Sequence, residues 1–477
     1  MPSPQTEILQ GILSDLGLTL ADAPGKVTFT GADPVTCSPH RISDAAAATY
    51  AALGMELALL WSLRADEGQD VSVDAKWAMF QLMAIQFVTI NGVHMSKTAF
   101  DPNLSLLGGF YRTADERTIC FAVNFPHIRD IMCDVLNCPP LKNKISDAVL
   151  QWNSFELEEA IAARGGTCVV IRSREEWIEH PQGKLLLETP LISIEKMADS
   201  PPEPLPPLPS TGGAPLSGVK IIDNGHVIAG PLVSRCMAEY GGQVLKISHP
   251  SHADPDQMIW ELGLGKRAAF CDLTDPTQRS QFWELLRKSD IYVSSYPSLA
   301  EKGFGPKELA AERPGIIFVD VYAFGKEGPW KERGGFDQLA TAVSGFAVNE
   351  GSFDNPSLPP TRLLNDYLTG ALAACGALEA LRRRATEGGS WRVNVSLARV
   401  AMWVDQLGLF SRDTISGLGG PDPAEARPLV RAINGVYGRQ TYLPSCCKLS
   451  KTPGHFRSGS RPLGSSPLAW SDNESDN

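Results

Sequence analysis

The sequence has ten cysteines but no C-x-x-C pair, and only Cys446 and Cys447 are adjacent. That scatter excludes a zinc ribbon or a disulfide framework and fits reduced thiols in a cytoplasmic setting. Lys and Arg number 43 against 54 Asp and Glu, a net charge of −11. The chain therefore lacks the basic footprint of a general nucleic-acid binder. A small polyanion held by a local basic patch stays open. No uninterrupted apolar run approaches membrane-spanning length, since 78–90 is broken by Gln81 and Gln86. The N-terminal residues lack the basic region and apolar core of a signal peptide, and the last residues match no peroxisomal or retention signal. The expectation is a cytoplasmic protein with no membrane, nucleic-acid or metal partner.

What is present is ordinary globular material: 477 residues, 43% hydrophobic and 20% charged, enough for about two or three domains. Residues 1–40 read as poorly organised, with Pro, Thr and Gly interrupting short apolar pieces. Ser43-Asp44 can cap an Ala/Leu helix from 45 to about 63, followed by a turn, an alternating strand at 71–75 and an apolar helix from 77 to about 88. Residues 107–195 alternate short strands and helices as a small α+β unit, and 41–199 is read as one region. Six prolines between 201 and 209 make 200–216 a semi-rigid linker.

From 217 to 410 strands and helices alternate regularly, which predicts a parallel sheet wrapped by helices. The fingerprint G-x-G-x-x-G is missing after its first strand, which disfavours a plain nicotinamide-binding domain. The end of this region repeats the early one. An Ala/Leu helix at 368–384, a Gly388-Gly389 turn, the strand around Val393-Asn394-Val395 and an apolar helix match the earlier helix, turn, strand and helix in order. Residues 411–477 read as a Gly/Pro/Ser-rich tail with one ordered piece at Tyr442-Leu443-Pro444.

One loop draws the chemistry. After the β-branched run at 316–321 come Gly325, Gly328, Pro329 and then Gly334-Gly335-Phe336-Asp337 ahead of an apolar segment at 339–348. A carboxylate at a helix start faces unpaired N–H groups that keep it ionised. Such a carboxylate beside a glycine turn is a candidate nucleophile, or only a helix cap.

The order of motifs resembles the class III CoA-transferase family of the CaiB/BaiF type. Pro215-Leu216-Ser217-Gly218-Val219 with His226-Val227-Ile228-Ala229-Gly230-Pro231 is similar to the family's opening strand and turn. Gly242-Gln243-Val244-Leu245-Lys246, Gly265-Lys266-Arg267 and the Gly335-Phe336-Asp337 loop follow in the family's order. Gly109-Phe110-Tyr111-Arg112 and Arg172-Ser173-Arg174-Glu175-Glu176-Trp177 resemble parts of the family's small domain. The chain thus reads as two incomplete copies, the first supplying the small domain that the second lacks.

The resemblance implies a Rossmann-like large domain, a small α+β domain and an interlocked homodimer. It implies transfer of CoA from an acyl-CoA to a carboxylic acid, with no permanently bound cofactor. Asp337 is then the nucleophile, passing through an aspartyl anhydride and an aspartyl-CoA thioester. His226, Val227, Ile228, Ala229, Gly334 and Gly335 line the CoA site, and Lys266 and Arg267 meet its phosphates unless they are an ordinary solvated pair. His249 and His252 read as surface residues. Two alternatives stay open: an α-methylacyl-CoA racemase, which pairs a histidine with the aspartate, and a non-catalytic scaffold. The absence of histidine from 253 to 454 counts against the racemase, although His226 or a first-half residue could approach.

Overall fold

The computed structural model describes residues 3–94, 102–210, 212–252 and 254–471. Its central feature is a seven-stranded sheet in the order 266–270, 243–248, 220–224, 291–294, 317–322, 390–396, 193–198. The first six run parallel. In chain order this is 3-2-1-4-5-6, the doubly wound arrangement whose crevice opens where the order reverses, beyond the carboxyl ends of 220–224 and 291–294. The strands are near-continuous buried runs such as Ile317–Tyr322, as a sheet covered on both faces requires. The seventh strand, Ser193–Ala198, comes from before the proline-rich stretch and closes the edge antiparallel to Ser390–Ser396.

The two repeated helices, Ile42–Ala65 and Asn365–Glu387, pack against each other and are mostly buried. Both are rich in Ala, which lets helix axes approach closely. Ile42–Ala65 is long and apolar enough by length and composition to cross a membrane, but most of it is buried inside the protein and its apolar run is not uninterrupted. Asp44, Glu56 and Arg64 interrupt the apolar run in sequence, yet Asp44 and Glu56 are buried inside the protein.

Two expectations are corrected. Residues 1–40 are organised: Pro4–Leu16 is a helix with Ser3 as N-cap, Pro4 in its first turn and Gly17 closing it at φ 75°. Val27–Thr30 then pairs parallel with Val71–Asp74. The described part of the 411–477 tail, up to 471, is also structured. Cys447–Leu449 pairs with Val71–Asp74, and Gly438–Tyr442 pairs with Thr89–Ile90. Its partners lie more than 300 positions away, so local composition could not reveal them.

The small unit is a three-stranded antiparallel sheet, Gly109–Arg112, Thr118–Phe121 and Cys168–Val170, with helices around it. Its strands pack on the helix Asp337–Val343. Where the unit's Arg174 approaches, Gly345 sits at φ 88°, and a Cβ there would fall 2.4 Å from the Arg174 nitrogen. That glycine also splits the single predicted helix at 339–348 into Asp337–Val343 and Phe346–Glu350.

Candidate active site

A cavity of about 310 Å³ opens at the switch point, between the parallel sheet and the small unit. The turn after Lys220–Asn224 forms one wall through His226, Val227 and Ala229, where the helix Ala229–Ala238 begins. Gly334 and Gly335 form another, and Phe125, His127 and Thr167 of the small unit face them. Gly335 must be glycine, since a Cβ there would meet Ala323 at 2.7 Å and the Phe324 ring at 2.8 Å. Phe125 sits among aromatic rings, with centroids 5.1 Å from His226, 5.8 Å from His127 and 6.2 Å from Phe336.

Asp366 lines this cavity, as does Glu332 of the glycine loop, whereas Asp337 does not. Asp337 does start a helix, but its side chain turns away from the cavity and is fully buried. Its Oδ2 accepts the backbone N–H groups of Leu364 at 2.9 Å and Asp366 at 2.8 Å. It therefore caps the neighbouring helix Asn365–Glu387, whereas the sequence suggested its own. Nor is it held in the ordinary carboxylate range: burial raises its pKa, with the N–H bonds opposing. Asp366 is pushed well above its ordinary value by burial and then by the Asp337 charge. Because Asp337 accepts two N–H bonds, it is the better charge carrier of the pair, and the shared proton resides on Asp366.

The remaining candidates divide. Ile228 lies behind the wall, 5% exposed, in the apolar core. Lys266 and Arg267 are not an exposed cation pair. Lys266 is 2% exposed and donates to Asp223 Oδ2 at 2.7 Å and to the Pro231 carbonyl at 2.6 Å. Burial, only partly offset by Asp223, lowers its pKa to about 8. Arg267 is 6% exposed and donates to the Ala469 carbonyl at 2.8 Å. Both belong to the edge strand Lys266–Phe270, whose first four residues are nonetheless buried, which an isolated Gly-Lys-Arg motif does not disclose.

Cations gather in a second cavity of about 490 Å³ beyond the carboxyl ends of the same strands. Arg279 and Lys302 line it, together with the surface histidines His249 and His252 and with Asp272, whose Oδ1 lies 3.6 Å from His249 Nε2. The two imidazoles stack with centroids 5.0 Å apart. Tyr296 joins the cavities: it lines the second, and its ring centroid lies 5.5 Å from that of His226 in the first.

Asp366 was missed because the reading began that helix at 368; the signal was Asn365-Asp366 directly ahead of the Ala-rich pattern. The histidine gap leaves room for histidines from outside it. His127 and His226 both lie outside it and both line the first cavity, so the gap does not itself separate transfer from racemisation.

The sequence model of CoA-transferase family III matches residues 16–202 and 216–437, and the chain belongs to that family. The match breaks at the proline-rich stretch. An acetyl-coenzyme A transferase of Hypoxylon pulicicidum is 33% identical over 222 residues, covering 45% of this chain and 37% of that protein. The alpha subunit of the succinyl-CoA–L-malate CoA-transferase of Chloroflexus aurantiacus is 32% identical over 220 residues, covering 42% and 51%. A solved CAIB/BAIF family protein from Brucella suis is 21% identical with a TM-score of 0.36, covering 47% of this chain and 65% of that one. The chain spans about half or less of the length of these two curated relatives.

Proposed function

We propose that the protein moves CoA from an acyl-CoA thioester to a carboxylic acid, with Asp366 as the nucleophile. The observation that carries this is the placement of Asp366 on the wall of the switch-point cavity, beside Gly334 and Gly335. Asp366 first gives up its proton to solvent; its carboxylate then attacks the thioester carbonyl, the C–S bond breaks, and an aspartyl mixed anhydride and CoA thiolate result. The thiolate attacks the aspartyl carbonyl, releasing the first acid and leaving an aspartyl-CoA thioester. The acceptor carboxylate runs the same two steps in reverse order. Relay through a carboxylate divides one exchange into easier steps.

The pKa of Asp366 suits that task. Burial and the Asp337 charge penalise its ionised form, and acylation removes the penalised charge. Backbone N–H groups of the glycine loop and of the helix start at Ala229 are the candidate donors for the developing oxyanion. The nucleotide end of CoA is assigned to the second cavity, where Arg279, Lys302 and the two histidines suit a polyanion. No permanently bound cofactor enters this scheme.

Phe125, His127 and Thr167 on the cavity wall support the reading that the first half completes the site of the second. Association into a homodimer is part of this reading on family grounds, and light scattering of the purified protein tests it. The decisive experiment incubates the protein with an acyl-CoA and hydroxylamine and maps the modified residue by mass. A hydroxamate at 366 is expected; modification at 337 instead, or none during active turnover, defeats the assignment.

A further inference from the structure

Behind the cavity wall, Asp254 holds the turn that presents His226. Asp254 is 5% exposed, and its Oδ1 lies 2.6 Å from His226 Nδ1. It also accepts the Val227 backbone N–H at 3.1 Å. Val227 sits at φ 62°, a left-handed conformation that a β-branched residue adopts only when its surroundings enforce it. Lys246 stands behind, its Nζ 3.9 Å from Asp254 Oδ2 and donating to the Gly225 carbonyl. One buried carboxylate thus holds the backbone twist through a hydrogen bond and stands against one nitrogen of the imidazole as its charge partner.

The other nitrogen is the one left for the cavity. Nδ1 is buried and, although 2.6 Å from Asp254 Oδ1, is not aligned for a hydrogen bond with it, so the contact is one of charge; the His226 side chain as a whole is 26% exposed and lines the cavity that holds Asp366. The rings of Phe125 and Tyr296, at 5.1 Å and 5.5 Å, keep the imidazole in its plane. A histidine whose Nδ1 is turned to a carboxylate offers Nε2 outward, and the carboxylate stabilises the imidazolium.

We propose that Asp254 is a positioning residue whose task is to hold His226 as the cationic group that shelters the CoA thiolate during the relay. This rests on the transfer reading above. When the C–S bond breaks, its electron pair goes to sulfur, and the sulfur must stay in the cavity until it attacks the aspartyl carbonyl. A fixed imidazolium pairs with the thiolate without consuming it. The sulfur lone pair then forms the new C–S bond, the anhydride C–O bond breaks, and its electrons leave on the released carboxylate. No redox partner is needed. If the thiolate escapes, water hydrolyses the anhydride and transfer becomes thioesterase activity.

The test compares the full-length protein with Asp254→Asn and His226→Gln. The second leaves the Asp254–Val227 bond in place, so it reports even where Asp254→Asn unsettles the turn. Free thiol released per CoA transferred is followed with a thiol reagent, alongside kcat and KM. Both variants are expected to lose roughly tenfold or more in kcat with KM for acyl-CoA changed by less than about threefold. Both should also release more free CoA per transfer, a ratio that a merely loosened fold does not raise. Unchanged kcat and an unchanged ratio in His226→Gln overturn the proposal, even with wild-type hydroxamate present at 366. A wild-type protein that turns over without that hydroxamate removes the transfer reading and this inference with it.

Discussion

The two helices of the repeat begin alike and end in different chemistry. In the second, Asp366 lies in the first turn and Asp337 Oδ2 accepts its backbone N–H at 2.8 Å. In the first, Asp44 lies in the first turn and Asp33 Oδ2 accepts its N–H at 2.8 Å. Burial and the neighbouring carboxylate raise Asp33 to about 6, much as burial raises Asp337. The capping frame is thus present twice. What differs is the fate of the second carboxylate. Asp366 faces a cavity, whereas Asp44 is fully buried and its Oδ1 accepts the Gln5 amide at 2.7 Å and the Asp33 N–H at 3.1 Å. The helix Pro4–Leu16 supplies that donor through Gln5 and covers the Asp44 carboxylate. A cap is a structural device that becomes a reactive site only where its neighbour is left without donors.

The comparison breaks most sharply at the carboxylates themselves. Asp366→Asn is expected to cut transfer on the order of a thousandfold or more, while Asp44→Asn leaves kcat within about twofold; steady-state kinetics of both decide. Comparable losses would make the first copy a working site. Next in size is Asp337→Asn. Removing that charge lowers the Asp366 pKa, so the acid limb of the kcat/KM profile should move to lower pH even if the maximum falls.

Stability should also carry the pair's signature. Asp337 and Asp366 both have pKa values raised above the ordinary carboxylate value of about 4. The folded protein therefore holds more protons than the unfolded chain between that value and their raised ones. Their contribution is full below about pH 4 and is lost as pH rises through about 6 and beyond. Melting of Asp366→Asn should show a shallower fall from about pH 5 to about pH 8 than the wild type; parallel curves would refute this. The smallest effect is expected of Gln5→Met, which strands a buried carboxylate oxygen with one donor fewer and costs about 1–3 kcal/mol in urea unfolding. It should create no second hydroxamate.

Much of this was legible from sequence because it is local. The alternating strands and helices after residue 217 and the four-element repeat follow from periodicity and composition. The glycine loop, His226, Val227 and Ala229 all line the cavity. The proposed nucleophile moves from Asp337 to Asp366 because two aspartates 29 positions apart share one helix start, and the fold puts the second of them on the cavity. Lys266 misled for the same reason: a cation is a ligand or a buried strut depending on whether a partner such as Asp223 waits beneath it. Such choices are made by residues distant in sequence.

The antiparallel edge strand Ser193–Ala198 carries a practical consequence. It belongs to the first half yet completes the sheet of the second, while Cys447–Leu449 of the second half completes a sheet of the first. Each half thus keeps a strand in the other's keeping. A protease nick between 201 and 210 would sever the covalent link but not this exchange. The two pieces should therefore co-purify as a complemented pair, whereas residues 210–477 made alone would bare the flank of Ser390–Ser396 to any strand that offers itself.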